Sequence, residues 1–232
     1  MYCYGFDPNW TGSKMVLSNS NKTVILPTTT HNTQNIVRSN FILNLTEPLN
    51  KKLYYEVLIE GPPGTGASSL RINTGIMSES VAIENKDTRG YITNYYPDYV
   101  QAYPEYSLTN GYAYAYYPCS GEKSPGTKVY YGADPYSVSS TVGDVIGVGV
   151  NFSDRSIEFF KNGTSMGTAF SGIQPAKYYP AVGIHDWSYG PAWQGATIRF
   201  GLDILNLPPG YQAMGSGHII YEDDIGKIHG YK

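Results

Sequence analysis

Charge is what this chain has least of. Asp, Glu, Lys and Arg make up 15% of its 232 residues, against about 25% in an average soluble domain. The net charge is −3, and no Lys/Arg cluster offers a nucleic-acid backbone its usual electrostatic handle. Nucleic acid is therefore excluded as a partner class. Cysteine is almost as scarce. Cys3 and Cys119 cannot build a disulfide framework; they are two free thiols or one bridge. No apolar run approaches the roughly 20 residues that span a bilayer, so membrane insertion is excluded. The opening MYCYGFDPNW carries neither the basic nor the apolar stretch of a secretory signal.

Chemical motifs are lacking too. His31, His185, His218 and His229 show no metal-ligand spacing, so neither metal nor cofactor is expected. There is no Gly-x-Ser-x-Gly nucleophile elbow. GPPGTGASS (Gly61–Ser69) comes close to a phosphate-binding loop, but Ala67 stands where a lysine must reach the phosphates. The SLRINTGIM that follows reads as a strand, not as the helix whose amides would hold the anion. Glu56 and Glu60 share one face of a strand about 13 Å apart, too far for the roughly 5–9.5 Å of a glycosidase pair. No enzymatic activity is expected.

What is present is β-structure. Short β-branched and aromatic runs recur between Gly, Pro, Asn and Ser punctuation, with almost no helical periodicity. The pattern predicts strands at 14–17, 23–26, 35–43, 52–60, 70–77, 111–117, 128–131, 144–151, 157–161, 181–184 and 196–200. One more is expected at 218–221. Strands without intervening helices indicate an all-β, antiparallel sandwich.

Tyrosine is the second abundance. Thirteen of the 23 tyrosines fall between Tyr91 and Tyr136. GYAYAYYP (Gly111–Pro118) alternates Tyr with Ala, which places Tyr112, Tyr114 and Tyr116 on one strand face and predicts a core row. ITNYYPDYVQAYPEY does not alternate. Tyr91, Tyr95, Tyr96, Tyr99, Tyr103 and Tyr106 read as a binding loop, since tyrosine gives large contact area at low entropic cost. A self-packed lid is the alternative. His185, Trp187, Tyr189 and Trp193 form a second candidate surface, or else a cap on the open end of the core.

The most patterned stretch is GDVIGVGVNFSDRSIEFFKNGTSMGTAF (Gly143–Phe170), followed by YYPAVGI. It reads strand, polar turn, strand, Asn-Gly turn, short strand. These motifs, with VRSNFIL, LYYEVLIE and ATIRFGLDILNLPPGYQAM in order, resemble the SPRY domain signature over roughly residues 16–214. Residues 1–15 resemble the PRY extension that precedes some SPRY domains, and residues 215–232 read as an extended arm. The resemblance implies a bent, two-sheet, concanavalin-like jelly roll without catalytic activity, whose variable loops at one end bind a protein partner. A charge-poor, Tyr/Asn-rich chain of this kind suggests a component of a larger assembly such as a virus or phage particle. The settings expected are thus a virion or the host cytoplasm. A cytoplasmic adaptor for a short peptide and a carbohydrate-binding module, with a glycan as partner, are the alternatives.

Overall fold

The computed structural model describes residues 4–27, 34–66, 69, 71–81, 83, 85–88, 112–125, 134–185, 191–216, 221–222 and 228–229. In chain order the strands begin with β1 (Phe6–Thr11), β2 (Val16–Ser18), β3 (Thr23–Pro27), β4 (Gln34–Ser39), β5 (Leu43–Asn44) and β6 (Lys52–Glu60). They continue with β7 (Ile72–Ser78), β8 (Ala113–Tyr117), β9 (Glu122–Pro125), β10 (Asp134–Pro135), β11 (Val145–Asn151) and β12 (Ser156–Lys161). The last are β13 (Thr164–Phe170), β14 (Lys177–His185), β15 (Trp193–Arg199), β16 (Gln212–Ala213), β17 (Tyr221–Glu222) and β18 (Ile228–His229). One helical turn, α1 (Asn85–Thr88), lies between β7 and β8.

These strands build two stacked antiparallel sheets. Sheet A runs β1-β4-β14-β7-β8-β9-β10, with β5 on β14; sheet B runs β13-β12-β11-β6-β15-β3-β2, with β16 joining β6 in parallel. Strand alternation dictates the layering. Leu53, Tyr55, Val57 and Ile59 of β6 face inward beside Ile146, Val148 and Val150 of β11. Val37, Ile72, Ile76, Val182 and Ile184 meet them from sheet A. The Tyr55 hydroxyl crosses the sandwich and donates to the Gly75 carbonyl at 2.6 Å. Complete burial pushes that phenol far above its ordinary pKa, so it stays a donor.

Most predicted strands are present within a few residues, and 52–60 matches without adjustment. Three differences have physical reasons. The predicted strand 35–43 is two strands, because Asn40 leaves the ladder: its Oδ1 accepts the Gly5 amide at 3.1 Å and its own amide donates to Gly5 O. β1 went unrecognised because Pro8 and Asn9 interrupt it, yet Pro is tolerated on an edge strand, and β1 is the edge of sheet A. Of the tyrosine row, Tyr114 and Tyr116 are core, whereas Tyr112 precedes β8 and is 37% exposed. In the arm, the described residues pair as β17 with β18; of the predicted 218–221 only Tyr221 is among the described residues, and it begins β17. The predicted strand 128–131 lies outside the described residues.

The opposite face of β8 is buried as well. Ala113, Ala115 and Tyr117 join Trp10, Ile36, Met77, Val81 and Ala181 in a second apolar cluster on the outside of sheet A.

Candidate functional site

The loops at the two ends of the sandwich are the candidate surface, and their framework explains the signature motifs. At the Asn-Gly turn, Asn162 and Gly163 have φ of 50° and 81°, the left-handed pair that a tight hairpin demands. Asn162 also reaches back to β11. Its Oδ1 accepts the Val145 amide at 2.8 Å, and its Nδ2 donates to Asp144 Oδ1 at 2.7 Å. Asp144 Oδ2 accepts the Thr141 amide at 2.8 Å and pairs with Lys161 at 3.1 Å. Burial pushes the Asp144 carboxyl up, but these donors and the lysine together outweigh it and hold the pKa below its ordinary value. Gly-Asp and Lys-Asn-Gly are thus two halves of one latch.

The glycines of GVGV have a different purpose. Gly147 and Gly149 lie on the outer face of sheet B, where alternation would otherwise present side chains. A Cβ on Gly147 would collide with the Tyr54 ring, and one on Gly149 would stand 2.6 Å from Tyr211 Cε1. The vacated space admits a strap, residues 201–214, that crosses this face. Glu56 ties it down. Fully buried, its carboxylate accepts the amides of Leu205 at 3.0 Å and Asn206 at 2.7 Å, with Arg199 Nη1 at 3.5 Å. Tyr211 stacks edge-on against Tyr54 and Phe160, and its hydroxyl donates to Glu158 at 2.9 Å. Glu60 bonds the Thr197 hydroxyl. Both carboxylates considered for glycosidase chemistry are committed to the scaffold.

Of the sequence-predicted site residues, the structure describes two. His185 ends β14 and Trp193, half-buried, begins β15 opposite Pro27. Trp193 is therefore a strand residue and not part of the connection in which sequence placed it. Next to Trp193 on β15 sits Gln194, which sequence reasoning missed. Fully buried, its Oε1 accepts the Arg71 amide at 2.6 Å and its Nε2 donates to the His185 carbonyl at 3.1 Å. One amide thereby fastens β15 of sheet B to the β7 and β14 edge of sheet A. Nothing in Trp-Gln-Gly signals this, since a lone Gln beside a Gly reads as loop. Desolvation, with Arg71 nearby, lowers the His185 pKa to about 4; at neutral pH the imidazole is uncharged.

Tyr91, Tyr95, Tyr96, Tyr99, Tyr103, Tyr106, Trp187 and Tyr189 lie outside the described residues. The flanks of the two candidate groups are nevertheless placed. Ile72 pairs with Ile184 at the His185 end of sheet A, and Ser78 pairs with Tyr178 at the other. The chain leaves toward the tyrosine segment beyond Ser78 and rejoins at Tyr112, whose amide donates to Ser78 Oγ at 2.8 Å. Before the tyrosine segment the chain passes through α1, whose Lys86 donates to the Thr11 carbonyl at 2.8 Å near Asn35, which pairs with Ile184 beside His185. The outgoing flank thus lies at the His185 end of sheet A and the returning flank, Tyr112, at the Ser78 end.

Among the described residues, no group of three or more His, Cys, Asp or Glu is arranged to hold a metal ion. Also among them, no helix is long and apolar enough to cross a membrane. Cys119 is a free thiol, its pKa raised chiefly by burial; Cys3 lies outside the described residues.

Comparison with known proteins gives the same picture. The chain is 39% identical over 75 residues to Ran-binding protein 9 of Xenopus tropicalis, covering 32% of this chain and 13% of that protein. It is 41% identical over 56 residues to the E3 ubiquitin-protein ligase RKP of Arabidopsis thaliana, covering 22% and 4%. With the dual specificity protein kinase splA of Dictyostelium discoideum it shares 30% identity over 105 residues, covering 40% and 4%. The chain thus spans only a small fraction of these relatives. Among solved structures, the SPRY domain of human HERC1 superposes with a TM-score of 0.54 at 18% identity, covering 84% of this chain and 96% of that one. Stonustoxin does so at 0.50 and 16%, covering 84% and 27%. The SPRY domain model matches residues 52–192, more than half the sequence. With the Asp144–Asn162 latch, the GVGV slots and the strap all in place, this chain belongs to the SPRY domain family, whose members are typically non-enzymatic protein-interaction modules.

Proposed function

We propose that this chain is a binding module that presents loops at the ends of a rigid sandwich to a protein partner within a larger assembly. The observation that carries this reading is where the signature residues go. Asp144, Asn162, Gly147, Gly149 and Glu56 are all consumed in holding the framework together. Variation is left to the connections, where recognition residues concentrate. The contact residues proposed are Tyr91, Tyr95, Tyr96, Tyr99, Tyr103 and Tyr106 of the tyrosine segment, and His185, Trp187, Tyr189 and Trp193 at the connection between β14 and β15. A neutral His185 suits a largely apolar contact. Composition supports a virion component as the setting.

The matches to a Ran-binding protein, a ubiquitin ligase and a kinase favour a second setting, an adaptor that captures a short peptide. Selection from a displayed peptide library on the immobilised chain, with light scattering in parallel, separates the two. A monodisperse monomer that captures a linear peptide assigns the adaptor role; self-association without capture assigns the assembly. In either setting Trp193→Ala or the pair Tyr99→Ala/Tyr103→Ala weakens partner binding at least tenfold. Affinity unchanged in both variants sinks the proposed surface. A glycan array of the parent chain checks the sugar alternative.

A further inference from the structure

Arg38 stands on β4 with its side chain on the outer face of sheet A, since Val37 beside it faces the core. Two rings clamp it there. Its guanidinium carbon lies 4.9 Å from the centre of the Trp10 ring and 4.0 Å from that of Tyr179, and both rings are buried. The rings suit its charge and its flat shape but accept none of its N–H donors in a conventional bond. Its Nε is buried without a hydrogen-bond partner, and among the described residues no carboxylate lies within ion-pair distance of the fork. Burial lowers the Arg38 pKa, and Tyr179, Asp7 and Glu79 only partly offset that; a guanidinium stays charged in a protein all the same. A desolvated cation with open donors is costly until something supplies acceptors.

The surroundings restrict what that acceptor is. Asp7 and Glu79 act electrostatically on both Arg38 and Tyr179, and Glu79 Oε1 accepts the Tyr179 hydroxyl at 3.2 Å. Glu79 is exposed, and Asp7 and Arg38 are half-buried, so the fork meets solvent between two acids. A carboxylate or phosphate arriving there would gain one cation and face two anions. A neutral planar group meets no such conflict. The side-chain amide of Asn or Gln carries both an acceptor and donors. Its carbonyl suits the Arg38 fork, its NH2 suits the acids at the rim, and its flat face suits the rings. Resting on the reading of the chain as a protein-binding module, we propose that Arg38, Trp10, Tyr179, Asp7 and Glu79 form a second recognition site on the sheet face, which takes an Asn or Gln side chain of the partner.

Titration of the full chain, followed by NMR, tests the site with two small probes: propionamide, a glutamine side chain without its backbone, and propionate, its charged counterpart. Propionamide is expected to shift the Arg38 Nε–Hε signal, identified by its loss in Arg38→Lys, together with the Trp10 indole signal. At equal concentration propionate shifts them about tenfold less, because the acids repel it. The double substitution Asp7→Asn/Glu79→Gln removes that preference. Arg38→Lys keeps the charge but loses the fork, so the Trp10 response to propionamide disappears while the other signals of the fold stay in place. Propionate acting as strongly as propionamide on the parent chain, or neither probe moving either signal, overturns the site. The peptide selection described above judges the module reading separately. Peptides captured equally by the parent and by Arg38→Lys sink the site and leave the module standing; a chain that responds to propionamide but captures no peptide does the reverse.

Discussion

On sheet B the outer face is closed by a strap hydrogen-bonded to a buried carboxylate; on sheet A it is closed by apolar packing on an alanine floor. Glu56 specifies register, since the strap amides that its oxygens accept are those of Leu205 and Asn206, beside the Tyr54 hydroxyl and Arg199. Met77, Ala113, Ala115 and Ala181 specify shape, and Trp10 and Val81 fill it. Arg38 adds a cation sandwiched between Trp10 at 4.9 Å and Tyr179 at 4.0 Å. A polar tie fails all at once when one partner goes, whereas an apolar contact loses stability in proportion to the volume removed.

Glu56→Ala breaks the comparison hardest. It strands two amides and Arg199, and unfolding free energy falls by about 3–5 kcal/mol, with fast hydrogen exchange across residues 201–207. Met77→Ala costs about 3 kcal/mol through its cavity but leaves exchange in the strap unchanged; equal strap exchange in both variants would refute the distinction. Gly149→Val comes next, costing about 2 kcal/mol by overpacking. Tyr211→Ala in the same chain recovers part of that loss, because Tyr211 is what the new methyls strike.

The smallest effects are pH effects, read from chemical unfolding between pH 3 and 8. His185 has its folded pKa depressed from the ordinary 6.5 to about 4, so the unfolded chain binds the proton first. Its contribution is complete above about pH 6.5 and disappears as pH falls toward 4; His185→Gln flattens that limb. Asp144, lowered from 3.8, contributes above that value and loses its contribution only at more acid pH. Asp144→Asn therefore costs about 1 kcal/mol at neutral pH and progressively less as pH falls below 3.8. An unchanged acid limb in the His185 variant removes the first assignment.

How much of this was legible depended on period. β6 and β11 alternate so regularly that their bounds and inward residues could be read directly, and the Asn-Gly turn announced its own geometry. β1 and β13 are edge strands, half polar, whose residues meet solvent and so carry no alternation. Side-chain-to-backbone ties were invisible. Glu56 looked like one of two candidate acids on a strand, and Gln194 like loop, because the strap amides and the Arg71 amide that they accept lie more than 120 residues away. The Asp144–Asn162 latch was half legible: the Asn-Gly turn could be read, but not the tie from its Asn162 back to Asp144.

Gln194 has one more implication. Gln194 bonds both Arg71 and His185, which are themselves joined by the His185 amide to the Arg71 carbonyl at 2.9 Å, so the rim of the sandwich is closed by residues outside the connections on either side. New sequence can be spliced into 61–70 or 186–192 as into a socket, and a lineage could exchange one specificity for another there without renegotiating the fold.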